Sequence, residues 1–235
     1  MTEWARKRFW TDTKVVEATG GYEVQLDGRS LKTPAKSALI LPNLQVAELL
    51  RDEWEAQQEV VDPETMPATR MANSAIDKVA PQQREVAELI AAYGESDLLC
   101  YRATTPQELI ERQAQAWDPI LGWAAVKLGA QLETAAGVMF VPQPVDSVAA
   151  LTRRVHRFNH WQLAAFHDLV ALSGSLVIGF AAAARHLPLD HLWGVSRIDE
   201  TWQQEQWGVD EEAAQAAETK RDAFLRAGHF LSLLL

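Results

Sequence analysis

The chain has 235 residues, 48% of them hydrophobic and 23% charged, a composition that supports a packed core and excludes disorder as its overall state. Its 22 basic and 32 acidic side chains leave a net charge of -10, which opposes attraction to nucleic-acid phosphates or anionic lipid. A single cysteine, Cys100, excludes an intramolecular disulfide framework and any multi-cysteine zinc site.

The opening residues, with Glu3 and the basic run Arg6, Lys7 and Arg8, lack the apolar stretch of a secretory signal, so the mature protein is expected to begin at residue 1. Tyr22, Val24 and Leu26 then alternate with Glu23 and Gln25, and Asp27-Gly28 follows, the dipeptide of a type I′ hairpin turn. With Val15-Val16 before and Ser37 to Leu41 after, the pattern predicts an antiparallel meander of about four strands that Pro42 ends.

Helical periodicity begins after Asn43. Ala47, Leu50 and Trp54 form one stripe; Val86, Leu89, Ile90 and Tyr93 form another, with Gly94 as its expected left-handed stop. Thr105, Pro106 and Glu108 predict a capping box with proline at the first helical position. Pro119 lies inside the stripe that follows and predicts a kink or break near Trp117-Asp118. Beyond the loop Gly137 to Pro144, Leu151, Val155 and Phe158 form a stripe, and Asn159 is placed to cap the next helix. The apolar run Leu169 to Ala184 is broken at Ser173-Gly174-Ser175 and falls short of the ~20 residues of a membrane span, so it reads as two buried helices. A helix from about Asp190 to Trp207, stopped by Gly208, and a last one capped by Asp210 complete the chain, with Leu231 to Leu235 expected to pack. The outline is α+β: a small β-rich N-terminal domain with a flanking helix over 1–85, then an all-helical C-terminal domain over 86–235. The absence of long heptads argues against a coiled-coil dimer, and the free protein is expected to be a monomer.

Signatures of chemistry are sparse. There is no phosphate loop, dinucleotide fingerprint, nucleophile elbow or zincin pair. His156, His160 and His167 would share one face of a continuous helix, and with Asp168 they define an alternative function, a metal-assisted hydrolase. Asn159 and the cations Arg153, Arg154 and Arg157 weigh against it. Cys100, set between leucine and tyrosine, reads as a small buried hydrophobe. Tryptophan is abundant, nine residues, and each reads as a core anchor or as an interface group, with Trp202 the leading interface candidate. Charge is uneven: residues 51–100 carry four basic and eleven acidic groups, whereas 151–198 carry five and two. That pattern suits solvated helix faces or the orientation of a protein partner.

Several strings occur together: Arg8-Phe9-Trp10, GGYEVQLDGRSLKTPAKSALILP at 20–42, EWEAQQ at 53–58, MPATRMANSAID at 66–77, DLLCYRA at 97–103, WDPIL at 117–121 and SRIDETWQQEQWG at 196–208. In this order they resemble the assembly chaperones for the alpha subunit of the F-type ATP synthase. The resemblance spans almost the whole chain. It implies a non-enzymatic protein without cofactor or metal, which binds the free alpha subunit, prevents its aggregation and hands it over for alpha/beta assembly. It implies a cytoplasmic protein in a bacterium, or a matrix protein if the chain is a processed mitochondrial one. It also implies that partner binding falls on the motif of Ser196, Arg197, Asp199, Glu200, Trp202, Gln203 and Trp207. Glu200 leads that set, with a helix-surface salt bridge to Arg197 as its structural alternative.

Overall fold

A computed structural model describes residues 7–235; Arg6 of the basic run and the expected start of the mature chain lie outside them. The chain forms two compact units, the first made of Met1–Gln83, His160–Ala165 and His229–Leu235, the second of Arg84–Asn159 and Phe166–Gly228. A small N-terminal antiparallel sheet precedes a mostly helical chain, so the fold is α+β as the pattern predicts.

In the first unit β1 (Thr13–Ala18) pairs with β2 (Gly21–Leu26), which pairs with β3 (Arg29–Ser30). Asp27 (φ 47°) and Gly28 (φ 77°) both take positive φ, as the type I′ turn requires. The Asp27 carboxylate accepts the backbone N–H groups of Thr11 and Asp12, which hold it below the usual carboxylate range. The fourth predicted strand does not form. Ser37 to Leu41 makes only isolated bridges, Lys32 to Ala38 and Tyr22 to Leu41, because the turn around Pro34 and Lys36 (φ 68°) consumes the intervening backbone. The second bridge needs Gly21: a Cβ there would stand 2.1 Å from the Leu41 carbonyl oxygen.

Helix α1 (Leu44–Glu55) is capped by Asn43, whose side-chain oxygen accepts from Val46 N–H at 2.9 Å. The Asn43 amide donates to the Leu233 carbonyl at 2.7 Å. Helix α2 (Pro67–Ser74) has no local cap, and the Glu53 carboxylate supplies one, accepting from Ala68 N–H (2.6 Å), Thr69 N–H (2.8 Å) and the Thr69 hydroxyl (2.8 Å). Val24, Leu26, Leu39, Leu41, Val46 and Leu50 form the apolar centre of this unit, each buried side chain contributing about 1.5–3 kcal/mol. Trp10 and Trp54 meet edge to face at 5.3 Å. Leu231 is buried and Leu235 exposed, so the expected packing of the terminal leucines holds only at its start.

In the second unit α3 (Gln83–Ala91) continues as a 3-10 turn over Ala92–Glu95. Gly94 is not its left-handed stop. It is a close-packing site, where a Cβ would press Leu176 and Leu151 at 3.2 and 3.3 Å. Helix α4 (Gln107–Trp123) starts after Pro106, whose extended backbone (ψ 170°) puts it at the cap position, so no capping box forms and no side chain caps the helix. The helix also runs through Pro119 unbroken, and the irregularity comes later as a π turn over Ala124–Leu128 closed by Gly129 (φ 67°). Strands β4 (Tyr101–Arg102) and β5 (Ala135–Ala136) pair in parallel.

Helices α5 (Val145–Val155), α6 (His160–Ser173), α7 (Leu176–Ala183), α8 (Leu189–Ser196), α9 (Ile198–Trp207) and α10 (Glu211–Ser232) follow. The apolar run resolves, as expected, into the end of α6 and the whole of α7, where every residue from Leu176 to Ala182 is buried. The N–H groups that open α7 have no water to turn to. Asp97, completely buried, accepts from Val177 N–H at 3.0 Å, the Ser175 hydroxyl at 2.7 Å and Leu99 N–H at 3.0 Å. Burial pushes its carboxyl above the ordinary range, against the lowering effect of those donors.

Asp97→Ala strands three buried donors and is expected to destabilise the protein by at least about 2 kcal/mol in urea unfolding. Because its folded pKa is raised, the contribution of Asp97 is fully present below the ordinary carboxylate range and is lost as pH rises through the folded value. The stability of wild type relative to Asp97→Asn is therefore expected to fall as pH is raised from about 4. Gly21→Ala is expected to cost about 1–3 kcal/mol by the same assay, with faster amide exchange at Tyr22 and Leu41.

Candidate partner-binding surface

The single helix predicted from Asp190 to Trp207 is two. Arg197 leaves helical geometry (φ -115°, ψ 19°) between α8 and α9. The cause is local: the buried Ser196 hydroxyl bonds back to the Trp193 carbonyl at 2.7 Å, and Arg197 N–H closes a tight turn on the Gly194 carbonyl. The Arg197 guanidinium, 5.5 Å from the centre of the Trp193 ring, is held against it by cation–π attraction. It also pairs with Glu200 at 2.8 Å, the salt bridge that the spacing allows.

The rest of the predicted set divides by direction. Asp199 accepts from the side chain of Gln113 on α4 at 2.6 Å, while the other end of that buried amide accepts Ala103 N–H at 2.8 Å. Asp199 therefore fastens α9 to α4. Glu205, which the sequence reading passed over, adds a two-pronged pair with Arg112 at 2.6 and 3.0 Å, and that guanidinium lowers its pKa. Gln203 is exposed, Trp202 half-buried and Trp207 79% exposed, next to Gly208 (φ 91°) and the exposed Val209. Asp210 caps α10 through Glu212 and Ala213 N–H, as predicted, and Glu211 and Glu212 stand exposed beside it. Gln203 and Trp207 are thus exposed and Glu200, paired with Arg197, is partly so, whereas Asp199 and Arg197 are engaged within the unit. The arrangement is an aromatic side chain among carboxylates, suited to an apolar surface with cationic neighbours.

The histidine alternative loses its geometry. Helix α5 ends at Val155 and α6 starts at His160, so no continuous helix aligns His156, His160 and His167. Among the described residues no three metal-ligating side chains come together. Desolvation lowers the His160 pKa, and the hydrogen bond that His167 donates to the Asp168 carboxylate raises that of His167. Cys100 is buried, and desolvation together with the Asp97 charge pushes its thiol up to about 12, so it is no nucleophile. Most described tryptophans are anchors: Trp117 is fully buried and donates to the Val195 carbonyl at 2.9 Å, and Trp193 packs on Phe224.

Sequence reasoning also missed a second surface. Val138, Met139 and Phe140 are exposed in the loop it passed over, and Phe140 and Val145 line a groove of about 490 Å³ against α5. The available signal was a run of four hydrophobic residues, Val138 to Val141, between Gly137 and the first of two prolines, where a loop is ordinarily polar.

Residues 7–125 match the family model of the ATP12 chaperone protein. This chain belongs to the ATP12 chaperone family. The family consists of assembly chaperones, not enzymes. The crystal structure of Atp12 from Paracoccus denitrificans is 43% identical and superposes with a TM-score of 0.94 over 97% of each chain. A crystal structure from Agrobacterium tumefaciens is 42% identical, with a TM-score of 0.91 over 96% of this chain and 84% of that one. The mitochondrial protein atp12 of Schizosaccharomyces pombe is 27% identical over 219 residues, which cover 88% of this chain and 75% of that protein. No helix among the described residues is long and apolar enough to cross a membrane.

Two neighbouring acids should respond differently to substitution. Glu200→Lys removes a partly exposed i,i+3 pair and is expected to change unfolding free energy by no more than about 0.5 kcal/mol. Asp199→Ala leaves the NH2 group of the buried Gln113 without its acceptor and is expected to cost about 1–2 kcal/mol. Urea unfolding of both variants beside wild type checks the pair of outcomes.

Proposed function

We propose that this ATP12-family protein is an assembly chaperone that binds the free alpha subunit of the F-type ATP synthase, prevents its aggregation and releases it for alpha/beta assembly. The observation that carries this reading is the likeness to the Paracoccus Atp12 structure at 43% identity across 97% of both chains. The physical logic supports it. A subunit destined for a ring exposes, while alone, apolar surface that its neighbour later covers, and such surface drives association. A chaperone that covers it must bind and then yield, which an interface of about 1,600 Å² with a few aromatic anchors allows.

The contact surface in this proposal is the outward part of the 196–208 motif: Trp207 as anchor, Trp202 and Gln203 beside it, and Glu200 as the charge that orients the partner. Arg197 and Asp199 hold that surface in place. The protein acts as a monomer when free, in the bacterial cytoplasm, or in the matrix if it is a processed mitochondrial chain.

The test is light scattering of purified alpha subunit diluted from denaturant, with and without this protein, followed by sizing of the soluble mixture. Suppressed scattering and a discrete one-to-one complex are expected. Trp207→Ala is expected to keep the wild-type melting temperature and to weaken the complex by about tenfold or more. No suppression and no complex with wild type would sink the proposal. An unchanged affinity in both Trp207→Ala and Glu200→Lys would move the contact surface elsewhere.

A further inference from the structure

Helix α9 is fastened at its base by buried groups and at its tip by exposed ones. The base begins where α8 ends: the Trp117 indole of α4 donates to the Val195 carbonyl at 2.9 Å, and the turn at Ser196 then redirects the chain into α9. At the start of α9 the Asp199 carboxylate meets the buried Gln113 amide of α4 at 2.6 Å. Ile198, beside it, is the one residue of α9 that is buried. From Glu205 to Ala213 every residue is exposed, and Gly208 leaves helical geometry (φ 91°, ψ 167°). Helix α10 buries nothing before Phe224, so it gives the corner after α9 no packed support.

What holds the tip is Arg112 of α4, whose guanidinium meets the Glu205 carboxylate at 2.6 and 3.0 Å, two residues before Trp207. Among the described residues this is the one hydrogen-bonded tether between 203–209 and any other element. The two side chains are 37% and 47% exposed, so water and salt compete for both ends and the pair adds little to folding. Its geometry is nevertheless specific. A two-pronged pair fixes the direction of the carboxylate as well as its distance, and so fixes how α9 is rolled about its own axis. Trp207 follows about 3 Å farther along the same helix, and that roll decides which way its ring faces. The acids nearest Arg112 on its own helix do not replace Glu205: Glu111 accepts from Gln107 at 3.0 Å, and Glu108 is exposed and forms no salt bridge among the described residues.

We propose that Arg112 is a positioning residue of the partner surface: its pair with Glu205 sets the direction in which Trp207 is presented, and thereby sets client affinity without touching the client. This rests on the 196–208 surface proposed above and deepens it. Only the fraction of molecules whose Trp207 faces the right way binds, and apparent affinity scales with that fraction. An exposed pair raises the fraction by a factor of about five at most, the limit set by its own strength. Arg112 therefore acts on affinity while barely affecting stability, the reverse of the buried Gln113 beside it.

The test is a double-mutant cycle on the full chain, with affinity for labelled, renatured alpha subunit read by fluorescence anisotropy. Arg112→Ala and Glu205→Gln are each expected to bind about three- to fivefold more weakly than wild type. The double variant is expected to bind no more than about twofold more weakly than either single one, because both substitutions open the same tether. All variants are expected to melt within about 4 °C of wild type. A second readout needs no client. Spin labels at Gly122→Cys on α4 and Gln206→Cys on α9 report the distance between the helices; both sites are exposed, a Cβ at Gly122 meets nothing within 4 Å, and the native Cys100 is buried away from the label. One narrow distance distribution is expected with the pair intact, and a broader one, equally broad in all three variants, without it. Unchanged affinity in Arg112→Ala, or an unchanged distance distribution, would overturn the proposal. Losses that multiply in the double variant to about tenfold or more would also overturn it, since Arg112 and Glu205 would then act separately on the client. If wild type binds alpha subunit and Trp207→Ala weakens the complex while Arg112→Ala does not, this inference fails and the proposed function stands. If wild type ignores alpha subunit yet the distances broaden in all three variants, the choice of client fails and the positioning of α9 by Arg112 stands.

Discussion

Helix α7 is apolar on every face and must begin somewhere that water cannot reach. The Asp97 carboxylate resolves that constraint by meeting Val177 N–H and the Ser175 hydroxyl inside the second unit. The helix dipole and these donors favour an anion there, but the loss of water outweighs them and raises the carboxyl pKa. The packing around α7 depends on this anchor. Gly179 lets α6 approach so closely that a Cβ would stand 2.7 Å from Val170 and 3.1 Å from Phe166, and Gly94 accepts Leu176 in the same way. Those contacts need α7 in one axial position, and the carboxylate at its head sets that position.

The first unit uses the same device with different residues. Glu53 from α1 caps α2, and Asp77 accepts from the Thr33 hydroxyl at 2.7 Å and Ala35 N–H at 3.1 Å, pinning the turn that replaces the fourth strand. In both units some of the groups that begin or bend an element are supplied from elsewhere in the chain. This explains much of what was legible in the sequence and what was not. Period-two alternation, the Asp27-Gly28 turn and the Asp210 cap are local, and the structure keeps them. The Thr105 capping box failed because Pro106 stays extended, and the helix from Asp190 to Trp207 broke where the Ser196 side chain competes for the backbone. The partnership of Asp97 with Val177 crosses 80 residues, and no local pattern announces it.

The candidate surface was legible through its motif, although the motif mixes two kinds of residue. Asp199 and Arg197 have partners that decide how α9 sits on α4 and α8, and Trp207 has none of that work. Spacing alone cannot separate them, because the Gln113 that receives Asp199 lies 86 residues earlier. The groove against α5 was hidden for a related reason: whether an apolar triplet is exposed depends on Gln143 and Glu133 across the loop rather than on the triplet itself. For a chaperone the combination is coherent. Its interior is closed by buried polar anchors, and the apolar groups left outside are held on rigid supports.

The return of residues 229–235 to the first unit bears on how the protein is made. The bond from Asn43 to Leu233 spans 190 residues, and the same stretch places the buried Phe230 and Leu231 in that unit. Multi-domain chains commonly fold from the N-terminus as they are synthesised. Here the N-terminal unit stays incomplete until all of the other unit has been translated, so ribosome-bound chains carry its apolar centre without Phe230 and Leu231 throughout elongation. A member of a family of assembly chaperones is thus, during its own synthesis, a chain with an unpaired surface.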